Sequence, residues 1–303
     1  MFISEQEVRD ILTYELLVPA IRQALIDYSA GHVDQPPRTI LRAGNAEGVK
    51  NGWFAIMPVI AGDVMAVKSV TFYPGNDELG LHTHMAIVEL LRRSTGEPLA
   101  LMDGRLITEM RTAAVSAVAL DALAAHDVRS LGILGSGVQA RAHIKALRLV
   151  RPSLGDIRVW SRTPANAELL AAESGGRAVP ISKAAAADVV LTVTSSADPV
   201  LKGRWLAPHA LVLAVGATGS TLRELDDEAM LSSFVVAESQ SAVERESGDV
   251  RLSGAKVDAE IGNILSGALA APKGRIVFKT VGMAIEDLTA ARLVWSAHKS
   301  NAK

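Results

Sequence analysis

The sequence contains no cysteine, so disulfides, thiolate metal sites and cysteine nucleophiles are all excluded. It has no surplus of either charge. Thirty-one Lys and Arg stand against 33 Asp and Glu, whereas a nucleic acid or an anionic membrane selects a basic excess. The tryptophans Trp53, Trp160, Trp205 and Trp295 are too scattered for a nucleic-acid stacking platform. No apolar run reaches the roughly 20 residues that span a bilayer. The opening MFISEQEVRD has no basic stretch leading into an apolar core, so it does not read as a secretory leader. The expectation is a soluble, cytoplasmic protein with no nucleic-acid or membrane partner.

What remains is a long, apolar chain: 303 residues, 49% of them hydrophobic, enough for two domains. Ser4 and Glu7 have the spacing of a capping box. The helical recurrence that follows, from Ile11 to Tyr28, should break near Pro19 and end at Gly31. From Trp53 to Met102 the texture is that of strands: WFAIMPVI, VMAVKSVTFY, MAIVELL and PLALM, with no helix between them, predict an antiparallel or mixed sheet. An alanine-rich helix is expected over 108–125. From about Arg129 to Lys279 strands and helices alternate, and VVLTVTS (189–195) and ALVLAVG (210–216) have the unbroken apolar character of parallel strands covered on both faces. A last helix, 285–298, has no further strand to cross to and is expected to return to the N-terminal domain. The fold class is α/β: a Rossmann dinucleotide-binding domain over 116–283, plus a discontinuous α/β substrate and dimerisation domain over 1–115 and 284–303.

The sharpest local motif is Gly135-Ser136-Gly137-Val138-Gln139-Ala140, a G-x-G-x-x-A between a strand and a helix. Its first glycine allows the tight turn, its second lets a pyrophosphate approach the backbone, and its small third residue lets helix and strand pack closely. In NAD-specific sites an Asp or Glu about 20 residues further on accepts from the ribose 2′-hydroxyl. Here the second strand ends Trp160-Ser161-Arg162-Thr163. Arg162 can pair with a 2′-phosphate, and Ser161 and Thr163 can donate to it. NADPH is the expected cofactor, with NADH weaker.

Several further blocks, in order, carry a resemblance: Gln35-Pro36-Pro37-Arg38-Thr39, Lys68-Ser69-Val70-Thr71-Phe72-Tyr73, Met102-Asp103-Gly104 leading to Arg111-Thr112-Ala113-Ala114-Val115-Ser116, then VWSRT (159–163), AVGA (214–217), RELDDE (223–228), ESGDV (246–250), LSGA (252–255) and VFKTVGMAIED (277–287). With the glycine turn, they make the chain resemble the ornithine cyclodeaminase/mu-crystallin family, its ketimine-reductase members most closely. The resemblance implies NADPH-dependent reduction of small cyclic α-imino acids such as Δ1-pyrroline-2-carboxylate or Δ1-piperideine-2-carboxylate, a homodimer, and no metal. It implies that Arg38, Lys68 and Arg111 line the substrate pocket and hold a carboxylate, and that Thr112, Thr194, Val215 and Gly216 join the glycine turn, Ser161, Arg162 and Thr163 in holding the cofactor. Three cations from separate segments repel one another unless an anion sits among them; taken singly, a surface cation with a buried stem is the commoner fate of each, least so for Lys68, which interrupts the apolar strand AVKSVTF with a charge.

Two acids that cyclodeaminases use for ornithine are absent: Ala55 and Thr218 stand at those positions. The other readings of the same pocket are an alanine dehydrogenase or acyclic iminoacid reductase, an ornithine cyclodeaminase, and a non-catalytic small-ligand-binding protein; the intact glycine turn, Arg162 and the basic cluster argue against the last. His82 and His84 lack a nearby carboxylate to complete a metal site. Asp226, Asp227 and Glu228 read as a helix N-terminus, Ser247-Gly248-Asp249 as a structural turn, and Asp287 as an early residue of the last helix.

Overall fold

The structure, a computed structural model, describes residues 1–43 and 52–301. The chain divides into two units, Met1–Arg111 with Met283–Lys303, and Thr112–Gly282.

In the first unit, Ser4 caps helix α1 (Glu5–Ile11). Its hydroxyl accepts from Glu7 N and the Glu7 carboxylate accepts from Ser4 N, the reciprocal pair of a capping box. Thr13, in extended conformation, starts α2 (Tyr14–Ser29). The break expected near Pro19 therefore lies at Leu12–Thr13, and Pro19 is inside α2. The proline ring denies one N–H to the carbonyl a turn earlier, but Leu17, Ile21 and Leu25 are fully buried along the same helix and hold it through that defect.

Seven strands follow the order β1-β7-β6-β5-β4-β2, with β3 also on β4: β1 (Phe2–Ile3), β2 (Val33–Asp34), β3 (Thr39–Arg42), β4 (Trp53–Ala61), β5 (Val64–Phe72), β6 (His84–Arg92) and β7 (Pro98–Asp103). All neighbours are antiparallel except β1 and β7. Strict alternation buries Ala55, Met57 and Val59 of β4 and Val64, Ala66 and Val70 of β5 on one face. The C-terminal helix (Ala284–Asn301) packs on α2 and on β4, β5 and β6, which places the end of the chain in the first unit.

Helix α3 (Arg105–Leu123) starts before the expected residue 108, where Asp103 accepts from Arg105 N, and runs through the junction between the units. The change therefore falls at 111/112 rather than 115/116, and no loop marks it in the sequence. The second unit then alternates β8 (Ser130–Leu134), α4 (Val138–Val150), β9 (Asp156–Trp160), α5 (Pro164–Ser174), β10 (Arg177–Ala178), β11 (Val189–Thr192), β12 (Leu211–Ala214), β13 (Phe234–Ala237), β14 (Ala259–Glu260) and β15 (Ile276–Lys279). The sheet is parallel throughout, in the order β10-β9-β8-β11-β12-β15-β13-β14. The chain winds outward in one direction from β8 and in the other from β11, so the topological switch lies between those two strands, the Rossmann arrangement in which ligands sit at the strands' carboxyl ends. Every residue of β8, β11, β12 and β15 is buried.

Candidate active site

Lys68 is the one charge in the inward row of β5, opposite Met57 and Val88, and its side chain is 2% exposed. A lone ammonium there would cost several kcal/mol. The compensation comes from the first turn of the C-terminal helix, where Asp287 Oδ2 lies 2.6 Å from Lys68 Nζ. The other oxygen of Asp287 accepts from Arg111 Nε at 3.0 Å, and Arg111 Nη1 also donates to Glu286. Two carboxylates at a helix N-terminus suit the helix dipole. Gln35 Oε1 accepts from Ile285 N, which fixes the start of that turn.

For Lys68 and Arg111 the anion that such a cluster of cations requires is thus supplied by the chain itself. Asp287 grips Lys68 and Arg111 together and fixes their separation and direction. Burial pushes the Lys68 ammonium down to about 8; Asp287 opposes the shift, while Arg111 and the field of the half-buried Arg38 add to it. His84, at the start of β6 on the same sheet face, is exposed to solvent, yet desolvation by the groups around it and the positive fields of Lys68 and Arg111 hold its imidazole below the usual range. Its ring stands 4.5 Å from Phe72, which in turn stands 5.6 Å from Trp53, so a neutral imidazole and two aromatic rings form a shelf on the same sheet face as Lys68.

In the second unit the glycine turn joins β8 to α4. Gly135 has φ +120, and a Cβ there would come within 2.8 Å of Val193 O, so only glycine serves. A Cβ on Gly137 would meet nothing within 4 Å, which leaves the turn open on that side. Gly137 is also the N-cap of α4 and gives no side-chain oxygen to the first-turn N–H groups. Ala140 is fully buried, as the close approach of α4 requires. The cradle fits a dinucleotide pyrophosphate, which would take the N–H groups of the turn and of Val138 and Gln139.

Ser136 Oγ donates to Ser161 Oγ at 2.9 Å and ties the turn to the end of β9. Arg162 and Thr163 are exposed beside it, and Thr163, the N-cap residue of α5, has no capping hydrogen bond through its side chain. Thr194 and Gly216 follow β11 and β12 and share one carboxylate, that of Glu224. Val215 is buried between Ala214 and Gly216, and Thr112 lies half-buried on α3. Ala55 is fully buried on the same sheet face as Lys68, and Thr218 is exposed.

Sequence reasoning missed the partners rather than the cations. Asp287 and Glu286 lie about 175 residues from Arg111. Their only local mark is an acidic pair opening a helix, which is as common in solvent as in a site. Asp249, expected as a turn residue, is fully buried and within 3.0 Å of Lys279 Nζ. Among the described residues no group of three or more His, Cys, Asp or Glu is placed to hold a metal ion, and no helix is long and apolar enough to cross a membrane.

The chain belongs to the ornithine cyclodeaminase/mu-crystallin family, whose model matches residues 1–302. It is 41% identical over 310 residues to the ketimine reductase mu-crystallin of Mus musculus, covering 99% of this chain and 97% of that protein. Among solved structures it is similar to the Δ1-pyrroline-2-carboxylate reductase of Thermococcus litoralis in complex with NADH and L-proline, with a TM-score of 0.92, 30% identity and coverage of 100% and 98% of the two chains. It is also similar to an archaeal alanine dehydrogenase dimer with bound NAD, with a TM-score of 0.93, 26% identity and coverage of 100% and 97%.

Proposed function

We propose that this protein is an NADPH-dependent reductase of small cyclic α-imino acids, converting Δ1-pyrroline-2-carboxylate or Δ1-piperideine-2-carboxylate to L-proline or L-pipecolate. The observation that carries the reading is the buried Lys68–Asp287–Arg111 cluster in a chain whose relatives include a ketimine reductase and a Δ1-pyrroline-2-carboxylate reductase. The reduced nicotinamide supplies the hydride. Arg111 and Arg38 hold the substrate carboxylate, which accounts for clustering that much positive charge on an apolar sheet face. Lys68 holds the proton that the imine nitrogen needs: with its ammonium lowered to about 8, it is charged at neutral pH yet gives up a proton more readily than an ordinary lysine. The shelf of Trp53, Phe72 and His84 offers apolar area to a ring. The experiment is cofactor oxidation against a panel of cyclic imines and of keto acids with ammonia. The second arm tests alanine dehydrogenation, the reading favoured by the likeness to the archaeal enzyme.

Arg162 supports the choice of NADPH, because β9 ends without an acid to repel a 2′-phosphate. A charge-assisted hydrogen bond contributes roughly 1.5–3 kcal/mol, so NADPH is favoured over NADH by about tenfold or more in kcat/KM. Arg162→Ala abolishes most of that preference. Equal use of both cofactors by the parent, or an unchanged preference in the variant, contradicts the assignment.

The other face of the first sheet supports a homodimer. Phe54, Ile56, Met85, Ile87 and Leu101 occupy its outward rows, and the last three are 41%, 46% and 40% exposed. Contiguous apolar area of this kind on a sheet marks an interface, and the archaeal alanine dehydrogenase relative is a dimer. Light scattering at micromolar concentration should give twice the chain mass of 32.0 kDa, and Ile87→Arg should give the single-chain mass. A parent of single-chain mass contradicts it.

A further inference from the structure

Three blocks that no step above uses, RELDDE, ESGDV and VFKT, meet inside the second unit. Glu224, Asp249 and Lys279 come one from each and are all fully buried. Glu224 Oε1 accepts from Thr194 N at 2.6 Å and Thr194 Oγ1 at 2.8 Å. Its Oε2 accepts from Thr192 Oγ1 at 2.8 Å, Gly216 N at 2.8 Å and Ala217 N at 3.2 Å. Asp249 Oδ1 accepts from Glu224 N and Leu225 N, and its Oδ2 lies 3.0 Å from Lys279 Nζ. The cluster is thus a clamp: one carboxylate gathers the turns leaving β11 and β12, a second holds the backbone that carries the first, and a lysine on β15 supplies the counter-charge.

The clamped turns lie at the carboxyl edge of the sheet, where open α/β folds take their ligands. They are pressed together so closely that a Cβ on Gly216 would sit 2.2 Å from Thr194 O. Their place along that edge says which part of a dinucleotide they face. The glycine turn after β8 takes the pyrophosphate and the end of β9 takes the adenosine ribose. Since β11 and β12 lie on the opposite side of β8 from β9, the nicotinamide half extends over them.

We propose that Glu224 is a positioning residue that sets the β11 and β12 turns to receive the nicotinamide half of the cofactor. This rests on the reading of Thr194, Val215 and Gly216 as cofactor contacts. Every group that reaches either Glu224 oxygen donates. Glutamine at this position keeps the shape but turns an amide NH2 toward backbone N–H groups on one side or the other, which cannot rotate to accept. Lys279 and Asp249 remain a neutral pair beside it, so the substitution strands no buried charge.

The test is calorimetric titration of the parent and Glu224→Gln with NADPH and with adenosine 2′,5′-bisphosphate, the adenosine half alone. The expected result is a dissociation constant for NADPH weakened about tenfold or more, with that of the bisphosphate within about twofold of the parent. Thr192→Val, which removes one side-chain donor to Glu224 and leaves the Thr192 carbonyl to accept from Val215 N and Gly216 N as before, should weaken NADPH by about threefold with the same selectivity; it decides the matter if Glu224→Gln does not fold. A purely structural role would weaken both ligands alike, and that result, or no change in either, overturns the inference. A parent that binds neither ligand overturns the dinucleotide reading and this inference with it, whereas a parent that binds both and a variant that matches it overturn the inference alone.

Discussion

Lys68→Met and Arg111→Leu should each cut kcat/KM for imine reduction by about thirtyfold to several thousandfold, the equivalent of losing about 2–5 kcal/mol from a buried charge pair, while NADPH binds as it does to the parent. The substitutions keep much of the apolar volume of the stems, so charge is the main thing removed. The two losses differ in their side effects. Lys68→Met leaves Asp287 still paired with Arg111, whereas Arg111→Leu takes partners from both Asp287 and Glu286. Breaking a buried charge pair costs on the order of 3–5 kcal/mol, and Arg111→Leu removes two such contacts where Lys68→Met removes one, so Arg111→Leu should have the lower Tm of the two, and both need assaying well below their melting temperatures.

The pH dependence has a defined sign. Lys68 must carry its proton to donate it, so kcat/KM should fall as pH rises through about 8. Asp287 is the group that supports the Lys68 charge against burial, so Asp287→Asn should move that falling limb to lower pH. Near-parent rates in both Lys68→Met and Arg111→Leu on the preferred substrate, or a limb that moves upward in Asp287→Asn, would contradict the assignment of the pocket.

Ornithine should not be converted to proline and ammonia, even where the cyclic imine is reduced rapidly. Cyclodeamination begins by oxidising the α-amine and closing a ring through the side-chain amine, and these steps need a base and a counter-ion for a second ammonium. The resemblance read in the sequence puts Ala55 and Thr218 where cyclodeaminases carry those two acids. Ala55 is fully buried on the same sheet face as Lys68, so an ornithine side-chain ammonium placed near it would meet an apolar wall and the field of Lys68 and Arg111. An unpaired cation in such a setting costs several kcal/mol. Asp287 and Glu286 are committed to Lys68 and Arg111. Incubation with ornithine and NAD(P)+, assayed for ammonia and proline, should give no turnover above background. Turnover at a rate comparable to imine reduction would restore the cyclodeaminase reading.

The parallel sheet was legible because its strands are continuous apolar runs set at regular spacing, and the glycine turn because Gly135 to Ala140 sits where a strand gives way to a helix. The two-residue strand β1, paired with β7, left no trace, since two residues have no periodicity. The helix break was misplaced because proline is the stronger local signal, whereas here Leu12 in extended conformation ends one helix and Thr13, also extended, starts the next. The candidate site was half legible. Lys68 stood out as a charge in the apolar strand AVKSVTF, and the pocket's demand for negative charge followed from like-charge repulsion alone. The source of that charge did not, because the contacts made by Asp287 and Glu286 join segments far apart in the chain. The Glu224 clamp was hidden for the same reason: RELDDE reads as an acidic run at a helix N-terminus, and only the folded sheet separates buried Glu224 from exposed Asp227 and Glu228.

The most direct test of the account is the fate of the hydride. Enzyme, Δ1-piperideine-2-carboxylate and NADPH carrying deuterium at both C4 positions of the nicotinamide are incubated together, and the product is examined by mass spectrometry and chiral chromatography. The account predicts L-pipecolate carrying one deuterium at Cα, formed in step with NADPH oxidation, and L-proline labelled in the same way from the five-membered imine. Absence of cofactor oxidation with either imine, or amino acid product without deuterium at Cα, would contradict it.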